Sequence, residues 1–128
     1  MENSKEQFVR ILLEKWFNNH KQMEAIEVEE FRNHGISFSC KNNWSVENDR
    51  TWNYLNKECL SIESAFNSVV QSKEMKDRWK KQYPNSRYIP SVLSWNNLQT
   101  LDFIHYDDHE LVFDLDEFIN FAMKNYAI

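Results

Sequence analysis

The hydrophobic positions in the first third of the chain recur every three or four residues. They are Phe8, Ile11, Leu12, Leu13, Trp16 and Phe17. This period places apolar side chains on one side of a helix, and Ser4 and Gln7 have the spacing of a capping box at its N-terminus. The pattern predicts a first helix up to about His20 and a second, shorter helix over Met23 to Asn33. Gly35 follows, at a place where a residue with positive φ commonly ends a helix.

The most regular helical pattern lies in the middle of the chain. Its apolar positions are Trp52, Leu55, Cys59, Ile62, Phe66 and Val69. Steps of three and four predict one long helix with a single apolar face, capped at its N-terminus by Ser45 or Asp49. Ser72 then marks a break, and a basic helix over Lys73 to Tyr83 is expected to end at Pro84.

Alternation of apolar and polar residues predicts three short strands. They lie near 36–40, 101–106 and 111–113. The last two flank a polar turn at 107–110 and are expected to pair as an antiparallel hairpin. A short helical stretch over 92–101 precedes them, and Asp114 with Glu117 repeats the capping-box spacing before a last helix. These elements predict an α+β fold: one mostly helical domain over residues 1–128, with a small antiparallel sheet and a C-terminal helix.

Composition narrows the classes of function. The 128 residues are 41% hydrophobic and 27% charged, which is ordinary for one soluble globular domain. The single glycine excludes the glycine-rich loops that bind nucleotides, since those loops need residues without Cβ. We expect a cytoplasmic protein without membrane contact, because no signal peptide or membrane-spanning run is present and Cys40 and Cys59 are two lone thiols.

Charge is distributed very unevenly along the chain. Between Tyr88 and Met123 there is no Lys or Arg, and the acidic residues are Asp102, Asp107, Asp108, Glu110, Asp114, Asp116 and Glu117. The preceding stretch, 73–87, holds six basic and two acidic residues. A one-signed surface of this kind favours a partner of opposite charge, because complementarity speeds encounter and selects the partner. The alternative is that the acids cap a helix, polarise a turn and keep the protein soluble.

The leading hypothesis is a small acidic module that binds a basic protein partner. An inhibitor or immunity-type protein would use these features by blocking the basic active site or nucleic-acid groove of a toxin, nuclease or defence effector. In size and acidity the chain is similar to bacterial toxin-neutralising proteins and phage-encoded inhibitors of host defence. The predicted contact residues are Asp107, Asp108, Glu110, Asp114, Asp116 and Glu117, with Trp95 and Tyr106 as aromatic anchors.

A nucleic-acid-associated regulator is the second hypothesis. Its basic residues lie in the segment 73–87, interleaved with aromatic ones, as in proteins that hold phosphates and stack bases. They are Lys76, Arg78, Lys80, Lys81 and Arg87. The acidic stretch that follows would repel phosphates, so nucleic acid is the less favoured partner. The basic segment could instead pair with the acidic one, within the chain or across a symmetric homodimer.

A metal-dependent hydrolase is the third hypothesis. It would use His105, Asp107, His109 and Glu110 at the predicted turn, since imidazole and carboxylate together suit Zn, Mn or Fe. Neighbouring strand residues point to opposite faces, however, so few of these side chains can converge. The sequence places no nucleophile beside a base, and we therefore expect no enzyme, no resident metal and no cofactor.

Overall fold

Two long helices form the frame of the molecule. A computed structural model describes residues 4–70, 77, 80–85 and 92–125. Helix α1 spans Ser4–His34 and helix α2 spans Val46–Val70. They lie antiparallel, because Asn19 in the middle of α1 contacts Glu58 in the middle of α2, whereas Glu30 near the end of α1 contacts Asn48 near the start of α2.

The two helices pack through side chains spaced three and four residues apart on each of them. The buried apolar members are Val9, Leu13, Trp16, Met23, Ile26, Leu55, Cys59, Ile62 and Phe66. Asn19 and Glu30 are buried at the same seam, and each is hydrogen-bonded across it. The Glu30 carboxylate accepts bonds from the Asn48 amide, at 2.7 Å, and from the backbone N–H of Ser45, at 3.1 Å. Glu30 thereby fixes the start of α2, whose N-cap is Ser45.

The predicted break between two N-terminal helices is wrong, because α1 continues through residues 18–22. This stretch contains no apolar residue, which is why the pattern appears to stop there. Two of its polar residues nevertheless point inward. Asn19 donates a 2.8 Å hydrogen bond to Glu58, and His20 stacks on Trp95. Polar side chains therefore occupy inward positions where the sequence pattern requires apolar ones.

The end of α1 is predicted correctly, whereas the strand near 36–40 is not. Gly35 has φ +67°, and its N–H bonds to the carbonyl of Phe31 as in a left-handed helix cap. The following residues form a 3-10 helix, Phe38–Asn43, and both Phe38 and Cys40 are exposed. No described strand lies beside this segment, so its backbone groups are satisfied by local turns instead of a sheet.

The C-terminal part of the described chain, residues 92–125, begins with two buried residues, Val92 and Leu93. Leu93 connects this part to α2. The Asn67 side chain of α2 accepts from the Leu93 N–H at 2.9 Å and donates to its carbonyl at 3.3 Å. Helix α3, Trp95–Thr100, follows with Ser94 as its N-cap. It ends in a Schellman motif in which Asp102 has φ +63°, a position that glycine usually occupies.

A hairpin and a final helix complete the fold. Strands β1, Ile104–Asp107, and β2, Glu110–Phe113, pair antiparallel, with Ile104 opposite Phe113 and Asp107 opposite Glu110. Helix α4, Leu115–Asn125, buries Phe118 against Phe66 of α2. The described residues thus form the mostly helical α+β fold that the sequence predicts, with a two-stranded antiparallel sheet and a C-terminal helix. Among the same residues, no helix combines the length and apolarity needed to span a membrane.

Candidate functional site

A cleft of about 570 Å³ opens between α1, α2, α3 and β1. Aromatic and acidic side chains dominate its wall. We define the cleft by Trp52, Trp95, Tyr106, His20, Glu24 and Glu27. Its size falls in the range of pockets that bind small molecules or single side chains of a partner.

Helix α1 supplies the polar wall of the cleft. His20, Glu24 and Glu27 are spaced four and three residues apart, which places them on one face of the continuous helix. The Tyr106 hydroxyl donates a 2.8 Å hydrogen bond to Oε2 of Glu24 and so joins the hairpin to α1. That bond, together with partial burial, raises the pKa of Tyr106. Tyr106 thus engages one oxygen of Glu24, and the other accepts no hydrogen bond from the described residues.

Stacking fixes the aromatic wall. The Trp95 ring stacks on His20 with centroids 4.5 Å apart, and His20 in turn meets Trp16 edge-on at 4.6 Å. Trp95 is the first residue of α3, so the Ser94 cap and the preceding buried loop determine where its ring lies. The core therefore fixes the positions of these rings before any ligand binds.

Trp52 borders both the cleft and a second, already occupied, cation site. The ammonium group of Lys41 lies 5.0 Å from the Trp52 ring centroid and 5.6 Å from that of Trp44. It is also paired with the Asp49 carboxylate and bonded at 2.7 Å to Oδ1 of Asn53. The chain itself thus holds a cation between two indole rings and a carboxylate.

Two acidic side chains and one histidine line the polar side of the cleft. Burial lowers the pKa of His20 to about 4, so its imidazole is neutral at pH 7. Its Nε2 is buried and has no hydrogen-bond partner among the described residues. Burial raises the pKa of Glu27, and so does the nearby charge of Glu24, whereas the Trp52 indole lowers it. Within residues 4–70, 80–85 and 92–125, neither glutamate forms an ion pair.

Three of the predicted contact acids lie at the hairpin tip, residues 107–110, next to the cleft. Asp108 and His109 have φ values of +50° and +68°, the geometry of a two-residue type I′ turn, which exposes Asp107 and Glu110 at the strand ends. A carboxylate oxygen of Glu110 lies 3.9 Å from the ammonium group of Lys21 on α1. The tip therefore lies beside α1, the helix that supplies the polar wall of the cleft.

The remaining predicted acids lie around α4. Asp114 pairs with Nε2 of His105 at 3.0 Å, and this contact raises the pKa of His105. Asp116 pairs with Arg10 of α1 at 2.6 Å and stays largely exposed. Glu117 is exposed in the first turn of α4. Asp114 and Asp116 thus have intramolecular partners, whereas Asp107 and Asp108 form no ion pair with another described residue.

The residues of the second hypothesis lie only partly within the described chain. Lys80 and Lys81 are exposed and helical, and a turn follows at Pro84 and Asn85. Lys76, Arg78 and Arg87 lie outside the described residues, as does most of the predicted basic helix. The described part of this segment therefore offers the nucleic-acid hypothesis two exposed lysines.

The ligand set of the metal hypothesis does not converge. Across the residues described, no three His, Cys, Asp or Glu side chains are grouped closely enough to hold a metal ion. His105 faces Asp114, whereas Asp107, His109 and Glu110 project from the exposed tip. The geometry thus gives the hydrolase hypothesis no support.

Sequence reasoning missed the acidic half of the cleft. Trp95 and Tyr106 were predicted as anchors, but Glu24, Glu27 and Trp52 were not connected with them. The signal was the spacing of His20, Glu24 and Glu27 on one helix face, and the predicted break after His20 concealed it.

Comparison of the chain with models of known protein families, with curated proteins and with solved structures finds no match.

Proposed function

We propose that this protein binds a basic protein partner through the face that contains the cleft and the hairpin tip, and inhibits that partner by covering it. One observation carries the proposal: the cleft joins two predicted aromatic anchors, Trp95 and Tyr106, to the glutamates Glu24 and Glu27, which have no counter-ion within the described chain.

The physical argument rests on what each part of the face contributes. Fixed aromatic rings supply contact area at low entropic cost, which is why Trp and Tyr dominate the energetic centres of interfaces. The exposed acids Asp107, Asp108 and Glu110 lie at the hairpin tip beside this centre and would accelerate the approach of a basic surface. Asp116 and Glu117 contribute to the negative field, whereas Asp114 is engaged with His105. A reducing cytoplasm is part of the proposal, since both cysteines are free thiols.

The test is affinity capture from lysate of the native host, at low and moderate salt, with a charge-reversed variant. Asp107→Lys, Asp108→Lys and Glu110→Lys together should abolish capture of one basic protein that the unmodified chain retains. A matched control reverses three exposed acids that line neither the cleft nor the tip: Glu14, Glu29 and Glu47. The two variants carry the same net charge, so equal losses would show that binding does not depend on this face.

Recovery of nucleic acid in place of a protein would favour the second hypothesis. Its residues would then be tested by substitution of Lys80 and Lys81, which are exposed. Association with nucleic acid should weaken steeply as salt rises, in proportion to the number of phosphates contacted.

A further inference from the structure

We infer that the cleft accommodates the guanidinium group of one arginine from the basic partner. This inference rests on the proposed function and specifies its ligand. The inference concerns a different site from the exposed acids of the hairpin tip. The cleft lies beside the tip and is formed mainly by residues of the helices.

The first argument is charge. The Glu27 carboxylate is partly buried, adjoins a second carboxylate and has no cation within the described residues, so the folded chain bears the cost of its desolvation. A cation entering the cleft would offset that cost. The Tyr106 hydroxyl bonds to Oε2 of Glu24, and Oε1 accepts no hydrogen bond from the described residues. Two carboxylates on one helix face can therefore accept hydrogen bonds from a planar donor.

The second argument is the aromatic wall. Cations are attracted to the faces of indole and phenol rings, and Lys41 shows this interaction at Trp52 within the same molecule. Trp95 is fixed by its stack on His20, and the neutral imidazole of His20 adds no positive charge to this part of the wall. Rings and acids in one cleft favour guanidinium over ammonium, because guanidinium stacks on rings while its edge donates to carboxylates.

The third argument indicates that the arginine belongs to a protein chain. Beyond Glu27 and Val28 lies a shallow groove of about 390 Å³ that includes Phe31 and Phe38 together with the polar residues Arg32 and Ser37. Phe31 is 62% exposed and Phe38 is 49% exposed. Two exposed phenylalanine rings next to the cleft suit apolar side chains of a peptide segment that follows the arginine, whereas a free small cation would leave them unused.

The test is an NMR titration of the ¹⁵N-labelled protein with the peptide acetyl-Gly-Gly-Arg-Gly-Gly-amide. We expect the indole N–H signals of Trp52 and Trp95 to shift progressively with peptide concentration. The same peptide with citrulline, which has the shape of arginine without its charge, should leave them in place. Glu27→Gln should weaken the association about tenfold or more, as expected for loss of a charged hydrogen-bond partner. The matched control Glu29→Gln removes an exposed carboxylate of the same helix outside the cleft and should leave the affinity unchanged.

Equal shifts with the arginine and citrulline peptides, or no shifts with either, would overturn the inference. So would a lysine peptide that binds as tightly as the arginine peptide. The NMR titration tests the arginine pocket, whereas the capture experiment tests the inhibitor function, so either can fail without the other. Indole shifts without a captured protein would uphold the arginine pocket and remove the inhibitor function. A partner captured equally by the unmodified chain and by Glu27→Gln, with no indole shifts, would leave the function and refute the pocket.

Discussion

Acidification should destabilise this protein through one histidine of the cleft wall. His20 lies between Trp16 and Trp95, and burial lowers the pKa of its imidazole from 6.5 to about 4. Because the folded pKa is below the unfolded one, the unfolded chain binds a proton first as the pH falls. The stability that depends on neutral His20 is therefore complete above pH 6.5 and is lost as the pH falls towards 4. The lowering of the pKa corresponds to about 3 kcal/mol, a substantial part of a typical free energy of unfolding.

The assay is urea unfolding of the unmodified protein and of His20→Phe at several pH values between 7 and 4. Phenylalanine keeps an aromatic ring against Trp95 and carries no proton. Other groups with shifted pKa values, such as Glu27 and His105, are common to both proteins and cancel in the difference. The free energy of unfolding of the unmodified protein should fall by about 3 kcal/mol more than that of the variant. Parallel pH profiles would refute the placement of His20 as a buried neutral ring.

Three further predictions concern stability and reactivity. Asp102→Gly should raise the free energy of unfolding by about 0.5–1 kcal/mol, because glycine removes the cost of positive φ at the end of α3; a less stable variant in urea unfolding would contradict this. Phe66→Ala should lower that free energy by about 3–5 kcal/mol through loss of its packing on Phe118, and a loss under about 1 kcal/mol would place Phe66 outside the core. A thiol reagent should modify Cys40 rapidly and spare Cys59, whose burial raises its pKa to about 12; rapid loss of both thiols would contradict the packing.

Elements with local signals could be predicted from the sequence. The α2 pattern contains six apolar positions at helical spacing, and four of them, Leu55, Cys59, Ile62 and Phe66, are buried. Gly35 ends α1 because its positive φ suits a residue without Cβ. The hairpin was predictable from two apolar segments that flank a short polar turn.

Features that depend on tertiary partners were not predictable. Asn19 is a core residue because Glu58 lies opposite it, and nothing near Asn19 in the sequence indicates that partner. Residues 36–40 alternate as a strand does, but a strand requires a neighbour, and the described chain supplies none. The cleft combines both difficulties, since it brings together residues from 20 to 106. Its aromatic residues Trp95 and Tyr106 could be predicted as anchors from the sequence. Its acidic residues Glu24 and Glu27 could not be connected with them, because that connection depends on α1 being one continuous helix.

Site-specific photo-crosslinking tests the central claim most directly. The crosslinking amino acid p-benzoylphenylalanine would replace Tyr106, at the junction of the cleft and the hairpin tip, and in a control would replace Tyr54, an exposed tyrosine of α2 that does not line the cleft. Irradiation in host lysate should join one basic protein to the chain from position 106 and not from position 54, with the crosslinked peptide containing an arginine. Crosslinking from position 54 alone, or equally from both positions, would contradict the account.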